Sequence, residues 1–141
     1  IAAIYPVVSG VLEPKTTLSF KPIINLSDLD AALTRAKQAH QPVMLDVFAS
    51  WCAACHELDE KTFSKPSIAN MLNQYTRLRI DVSKNTQENH EFLEKLNIYG
   101  LPHVRFYHSA GGINKRMTIS GFLDAKEFRN RFAICQQEKT C

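Results

Sequence analysis

Two cysteines stand with two residues between them in Trp51-Cys52-Ala53-Ala54-Cys55. The apolar run Val43 to Ala49 (VMLDVFA) precedes them, and the residues from His56 to Lys61 suit a helix. Cys52 is therefore expected at a helix mouth. Unpaired N–H groups and the positive end of the helix dipole favour a thiolate there. Cys55, three residues on, lies one turn inward on the same side. The two sulfurs can close a small disulfide ring. Cys52 would attack a partner disulfide, and Cys55 would resolve the mixed disulfide. A CxxC pair between a buried strand and a helix is a strong redox signal.

A zinc site would need about four ligands, usually as two clustered pairs. The other two cysteines, Cys135 and Cys141, are six apart at the tail, and the five histidines are scattered. No metal or other cofactor is expected beyond the Cys52–Cys55 disulfide itself. A purely structural role for that disulfide is disfavoured, because so short a loop constrains the unfolded chain little.

Asp46 interrupts the apolar run six residues before Cys52. An unpaired carboxylate in a central strand is costly, so its pKa should be raised. Such a group could take or return the Cys55 proton. The plainer alternative is an Asp that only hydrogen-bonds neighbouring backbone. Pro102 follows Gly100-Leu101 and precedes a strand. A cis Leu101–Pro102 bond would leave the Leu101 N–H and C=O free to pair with an incoming peptide. Trans is the commoner state, with cis at about 5–6% of X–Pro bonds.

These residues need elements to hold them. Thr17 to Ile24 suits a short edge strand, since Pro22 forbids a central one. Ser27 is a plausible N-cap for a helix carrying Leu26, Leu29, Leu33, Ala36 and Ala39. Gln41-Pro42 ends it. VMLDVFA reads as a central strand covered on both faces. After the CxxC helix, Ser64 to Ser67 interrupts and Ile68 to Asn73 resumes a short helix. Tyr75 to Val82 reads as a strand, Thr86 to Leu96 as a helix and His103 to Tyr107 as a strand. Ala110-Gly111-Gly112 turns into a last strand around Met117 to Ile119, and Asp124 caps a helix from Ala125 to about Ile134. The class is α/β, with a mixed sheet between helices.

At 141 residues the chain is about one domain, and 45% hydrophobic with 22% charged residues is ordinary globular composition. A net charge of +3 is too weak to argue for nucleic acid or an anionic membrane. The chain begins with Ile1, which suggests a processed or excised piece of something longer. Residues 1–16 are expected to be a linker or N-terminal extension, 17–135 the folded domain and 136–141 a C-terminal tail. Ile1 to Leu12 reads as a linker leaving a membrane segment or as a loose tail.

WCAAC, the upstream Asp46 and Gly-Leu-Pro before a strand together resemble the thioredoxin family. Three longer segments, PVMLDVFASWCAACHELDEKTFS, NIYGLPHVRFY and SGFLDAKEF, narrow the resemblance. They look like the C-terminal periplasmic domain of bacterial membrane-embedded thiol:disulfide interchange proteins. The resemblance runs from about Leu18 to Phe132. It implies a thioredoxin fold with an N-terminal extension, in a periplasmic domain of an inner-membrane protein. It implies protein-disulfide reductase activity. Electrons would come from a membrane-embedded domain of the same polypeptide and pass to its N-terminal periplasmic domain. By motif position Cys52 is the attacking cysteine, Cys55 the resolving one and Asp46 the buried acid. Asp59, four residues after Cys55, matches a second acid that helps tune the pair. Pro102 matches the family's cis-proline. Trp51, Leu101 and Pro102 would face the substrate protein, with Trp51 chiefly shielding the disulfide.

The residue chemistry agrees with a reducing role. Ala53-Ala54 offers the Cys52 thiolate no charge, and two nearby acids would oppose a thiolate further. His56 reads as a solvated helix residue, Phe48 and Phe63 as core. Cys135 and Cys141 could pair in an oxidising compartment, stay unpaired, or form a second redox centre; their spacing does not decide. The isolated domain is expected to be a monomer whose partners are protein thiols and disulfides, with no nucleic acid. Two other functions remain open: a free-standing periplasmic thioredoxin-like reductase, and a redox-inert module binding through the Leu101 edge.

Overall fold

Lys21–Ile23 forms a three-residue edge strand, β1, where Pro22 costs no central ladder bond. The computed structural model to which it belongs describes residues 14–141, so the linker expected over Ile1 to Leu12 lies outside the described residues. Helix α1 follows over Leu26–Gln38. Its N-cap is Asn25, not Ser27: Asn25 is extended and its side chain accepts the Asp28 N–H at 2.9 Å. Both residue types suit a cap, and the chain enters the helix two residues earlier than its spacing suggests.

Strand β2 is Val43–Phe48, and the first five of its residues are buried. It leads to helix α2, Ala53–Glu57, which widens without a break into a π-helical turn over Leu58–Phe63. Helix α3 spans Pro66–Leu72 and opens on its proline, whose missing N–H is harmless in a first turn. Strand β3 is Thr76–Asp81 and helix α4, capped by Thr86, is Gln87–Lys95. Strands β4 (His103–Tyr107) and β5 (Ile113–Ile119) make a hairpin, and Asp124 caps helix α5, Ala125–Gln137.

Strand β5 begins four residues before the expected Met117. Gly111 and Gly112 take φ of 97° and 90°, so the chain reverses at once and Tyr107 pairs with Ile113. The polar run Asn114-Lys115-Arg116 hides this pairing from an apolar pattern. Helix α5 likewise continues past Ile134 to Gln137, because Cys135 is a buried core residue.

The sheet order is β1-β3-β2-β4-β5. β2 lies at its centre, parallel to β3 and antiparallel to β4. Helices cover both faces, as the alternation of elements implies. Val43, Leu45 and Val47 of β2 face a layer with Leu29, Ala36 and Phe92. Met44 faces the other layer, with Leu58, Phe63, Phe106 and Phe128. The period of two puts Asp46 on the Met44 side. Asp46 sits directly opposite Arg79 of β3 in the parallel register. No helix of the described residues is long and apolar enough to cross a membrane.

Candidate active site

Strand β2 delivers the chain to Ser50, and α2 starts three residues later. Cys52 is the N-cap, extended at φ −90°, ψ 101°. Its Sγ accepts the Cys55 N–H at 3.1 Å, and its carbonyl accepts the N–H groups of Cys55 and His56. The sulfur therefore rests on the open donors of the helix, where a thiolate would be stabilised. Cys52 and Cys55 are joined as a disulfide with their Cα atoms 5.3 Å apart. Both are buried, Cys52 at 6% and Cys55 at 3% exposure, and Cys52 is the one at the helix mouth.

The walls come from three loops. Trp51 is 67% exposed, and its indole N–H donates to the Ser83 carbonyl at 3.2 Å. It stands out into solvent rather than packing down as a shield. The Ser50 N–H donates to Ser83 Oγ at 2.7 Å, which ties the approach to the cysteines onto the loop after β3. His56 is exposed but tethered: its Nε2 lies 2.8 Å from the Ser50 carbonyl and its ring meets Phe48 edge-on. The Leu101–Pro102 peptide is cis. Leu101 packs against the core cluster that contains both cysteines, and Pro102 is buried.

Asp46 is 3% exposed and is not unpaired. Arg79 reaches its Oδ2 with Nε at 2.9 Å and Nη2 at 2.5 Å. The same Nη2 reaches Oδ1 of Asp59 at 2.6 Å. The two acids expected to oppose a thiolate are thus bridged by one guanidinium. Its Cζ lies over the rings of Phe20, 4.2 Å from the centroid, and Phe48, 4.7 Å from the centroid. Phe63 is core, as expected, but half-buried Phe48 is part of this clamp. Burial raises the Asp46 pKa, the charge and hydrogen bonds of Arg79 pull it back, and the Asp59 charge adds to the rise, leaving it at about 6. Burial by itself would lower the Arg79 pKa, yet the two carboxylates hold it raised.

Arg79 and Phe20 are the site residues that sequence reading missed. The signal for Arg79 was the alternation in Tyr75 to Val82, which puts Arg77 and Arg79 on the face opposite Leu78 and Ile80. It needed the β2–β3 register to become legible. Near the other end of α5, Cys135 and Cys141 are joined by a disulfide, which resolves that open question in favour of pairing. Among the described residues no group of three or more His, Cys, Asp or Glu side chains could hold a metal ion.

The family described as thioredoxin-like matches residues 24–109, which include both redox cysteines, both acids and Pro102. The chain belongs to the thioredoxin-like family. Among its thioredoxin-like relatives is the thiol:disulfide interchange protein DsbD of Pectobacterium atrosepticum, 36% identical over 126 residues. The alignment covers 89% of this chain and 21% of that protein. DsbD of Klebsiella pneumoniae is 37% identical over 117 residues, covering 83% of this chain and 19% of that protein. The chain therefore spans about a fifth of the length of these relatives (21% and 19%). The oxidised C-terminal domain of DsbD from Neisseria meningitidis superposes with a TM-score of 0.68 at 28% identity, covering 83% of this chain and 98% of that one. The five-stranded mixed sheet is thus a thioredoxin fold, as the motifs imply, and the similarity within the family is to the C-terminal domain of DsbD.

Proposed function

We propose that this thioredoxin-like domain is a protein-disulfide reductase. It would relay electrons from a membrane-embedded domain of a longer polypeptide to an N-terminal periplasmic domain. The carrying observation is the Cys52–Cys55 disulfide at the mouth of α2, with Cys52 as the N-cap. In the reduced domain the Cys52 thiolate attacks one sulfur of the partner's disulfide. That bond breaks and the partner's other sulfur leaves as a thiolate. Cys55 gives up its proton and attacks Cys52 Sγ, and the partner's second sulfur leaves. Two electrons and two protons pass to the partner, and the Cys52–Cys55 disulfide is restored. Asp46, ionising near pH 6, is a base of suitable strength for the Cys55 proton.

Exposed Trp51, with Leu101 and Pro102, would receive the partner's cysteine-bearing segment. The disulfide is the only redox group this cycle needs. The DsbD relatives support placing the domain, residues 17–135, in the periplasm as part of an inner-membrane protein. Cys55→Ala should trap a mixed disulfide with the partner domain, while Cys52→Ala should form none. The reverse pattern would exchange the two roles. The reduction potential decides direction. A value near about −270 mV, typical of thioredoxin, supports a reductant. One near about −120 mV, worth roughly 7 kcal/mol, would overturn it.

A further inference from the structure

We infer that Arg79 is a positioning residue of the redox site, clamping Asp46 and Asp59 into a single acid–base unit that Phe20 holds in place. The inference rests on the reading above, in which Asp46 serves Cys55. Three independent features converge on it. The parallel register sets Asp46 and Arg79 side by side on the same sheet face. One guanidinium then spans both carboxylates, with two contacts to Asp46 and one to Asp59. Its central carbon lies close to both the Phe20 and the Phe48 ring centroids, at 4.2 and 4.7 Å. A lysine could supply the charge but neither the fork nor the flat faces.

Phe20 comes from the segment before β1, which is itself tied to the end of the π turn and to β3. The Thr16 N–H donates to the Ser64 carbonyl at 2.7 Å, and Arg77 Nε donates to the Ser19 carbonyl at 2.9 Å. Grooves open on both sides of Arg79. One is lined by Lys15, Leu18, Asp59 and Glu60, the other by Phe20, Ile24 and Asp81. Arg79 and Asp59 side chains are 23% and 32% exposed, against 5% for Asp46. The clamp is therefore the link between a buried acid and the surface.

The charges acting on Asp46 are those of Arg79 and Asp59. Flanking Arg79 are Asp81 of β3, Asp59 and Glu60 of the π turn, and Lys15 of the segment before β1. On β4 the residue beside Asp46 is Val104, and Arg105 turns away to the Leu96 carbonyl. Arg79 is the cation that hydrogen-bonds Asp46, so it is the group that keeps Asp46 anionic near neutral pH. On the reading above, the step it would support balances: the Cys55 thiol and the Asp46 carboxylate would become a thiolate and a carboxylic acid. With Arg79 gone, Asp46 would hold its proton at neutral pH and could not accept another.

The test is a carbon-13 NMR titration of the Asp46 carboxyl in the oxidised 141-residue chain, where the cysteines do not titrate. The wild-type midpoint is expected near 6. Arg79→Gln should raise it by more than one unit. Arg79→Lys should raise it less, and Phe20→Leu should also raise it. In the reduced protein, mixed disulfides of Arg79→Gln should last at least several-fold longer at pH 7 and recover wild-type lifetimes at higher pH. An unmoved Asp46 midpoint in Arg79→Gln would overturn the inference. If that variant does not fold, unmoved midpoints in both Arg79→Lys and Phe20→Leu would overturn it equally. A moved midpoint with an unchanged lifetime profile would also overturn it, by breaking the link to Cys55. A wild-type chain inactive in disulfide exchange but with its Asp46 midpoint moved by Arg79→Gln would sink the reductase reading instead.

Discussion

Asp46 shows how burial and a partner compete at one carboxyl. Removing it from water raises its pKa from 3.8 to about 6, even with Arg79 attached. A raised folded-state pKa means the native protein binds the proton more tightly than the unfolded chain. Stability is therefore favoured below about pH 4 and lost as pH rises to about 6, in total on the order of 3 kcal/mol. His103 has the opposite sign. Burial, aided by the Arg105 charge, lowers its pKa to about 4, so the unfolded chain binds protons more tightly and stability rises with pH from about 4 to 6.5. The two slopes offset one another in the wild type. Asp46→Asn should remove one of them and leave Arg79 an oxygen to bond. Denaturant midpoints should then climb between pH 4 and 6 in the variant, relative to wild type. Parallel curves would mean that Asp46 keeps an ordinary pKa.

Among the elements, the helical stretch after the cysteines has the most unusual geometry. α2 lasts only from Ala53 to Glu57 before its turns widen over Leu58–Phe63, and that wider segment carries Asp59. Besides the bond from Arg79 to Asp59, it makes a second long-range hydrogen bond. The buried Thr62 hydroxyl donates to the Leu123 carbonyl at 2.5 Å, pinning the π turn to the loop before α5. Thr62→Val keeps the shape and removes the donor, leaving that carbonyl without its partner. The expected cost is about 1–3 kcal/mol in chemical denaturation. No loss of stability would mean that the packing of Leu58 and Phe63 alone holds the turn. The register of β2 against β3 matters as much. A slip of one residue would turn Arg79 to the opposite face and separate it from Asp46.

For the molecule as a whole, the second disulfide ties the end of the chain back onto the core. Cys135 is buried in the α5 layer, six residues before Cys141. The Thr140 N–H also donates to the Cys135 carbonyl, and Asn114 Nδ2 donates to the Thr140 carbonyl, both at 2.8 Å. Replacing both cysteines by alanine opens a small loop and truncates a buried residue, so the expected loss is roughly 2–3 kcal/mol. Disulfide exchange at Cys52–Cys55 should continue unchanged. An altered exchange rate in Cys135→Ala/Cys141→Ala would instead couple the two disulfides.

The local chemistry was legible in the sequence because it depends on neighbours in the chain. A buried strand followed by CxxC puts Cys52 at a helix mouth whatever the rest does. Alternating elements with a final hairpin specify a mixed sheet with VMLDV at its centre. Asp46 stood out because a carboxylate in an apolar strand needs a reason. Its partner was not legible, since Arg79 lies 33 residues away and meets it only through the pairing of two parallel strands. The same holds for Phe20, brought onto Arg79 by the path of the chain before β1. The pairing of Cys135 with Cys141 also waited on the fold, because a spacing of six says nothing until a helix end and a returning tail set the distance. Tertiary structure decided the charge environment of the redox pair, because electrostatics depends on distance through space and burial, and neither is written in the order of residues.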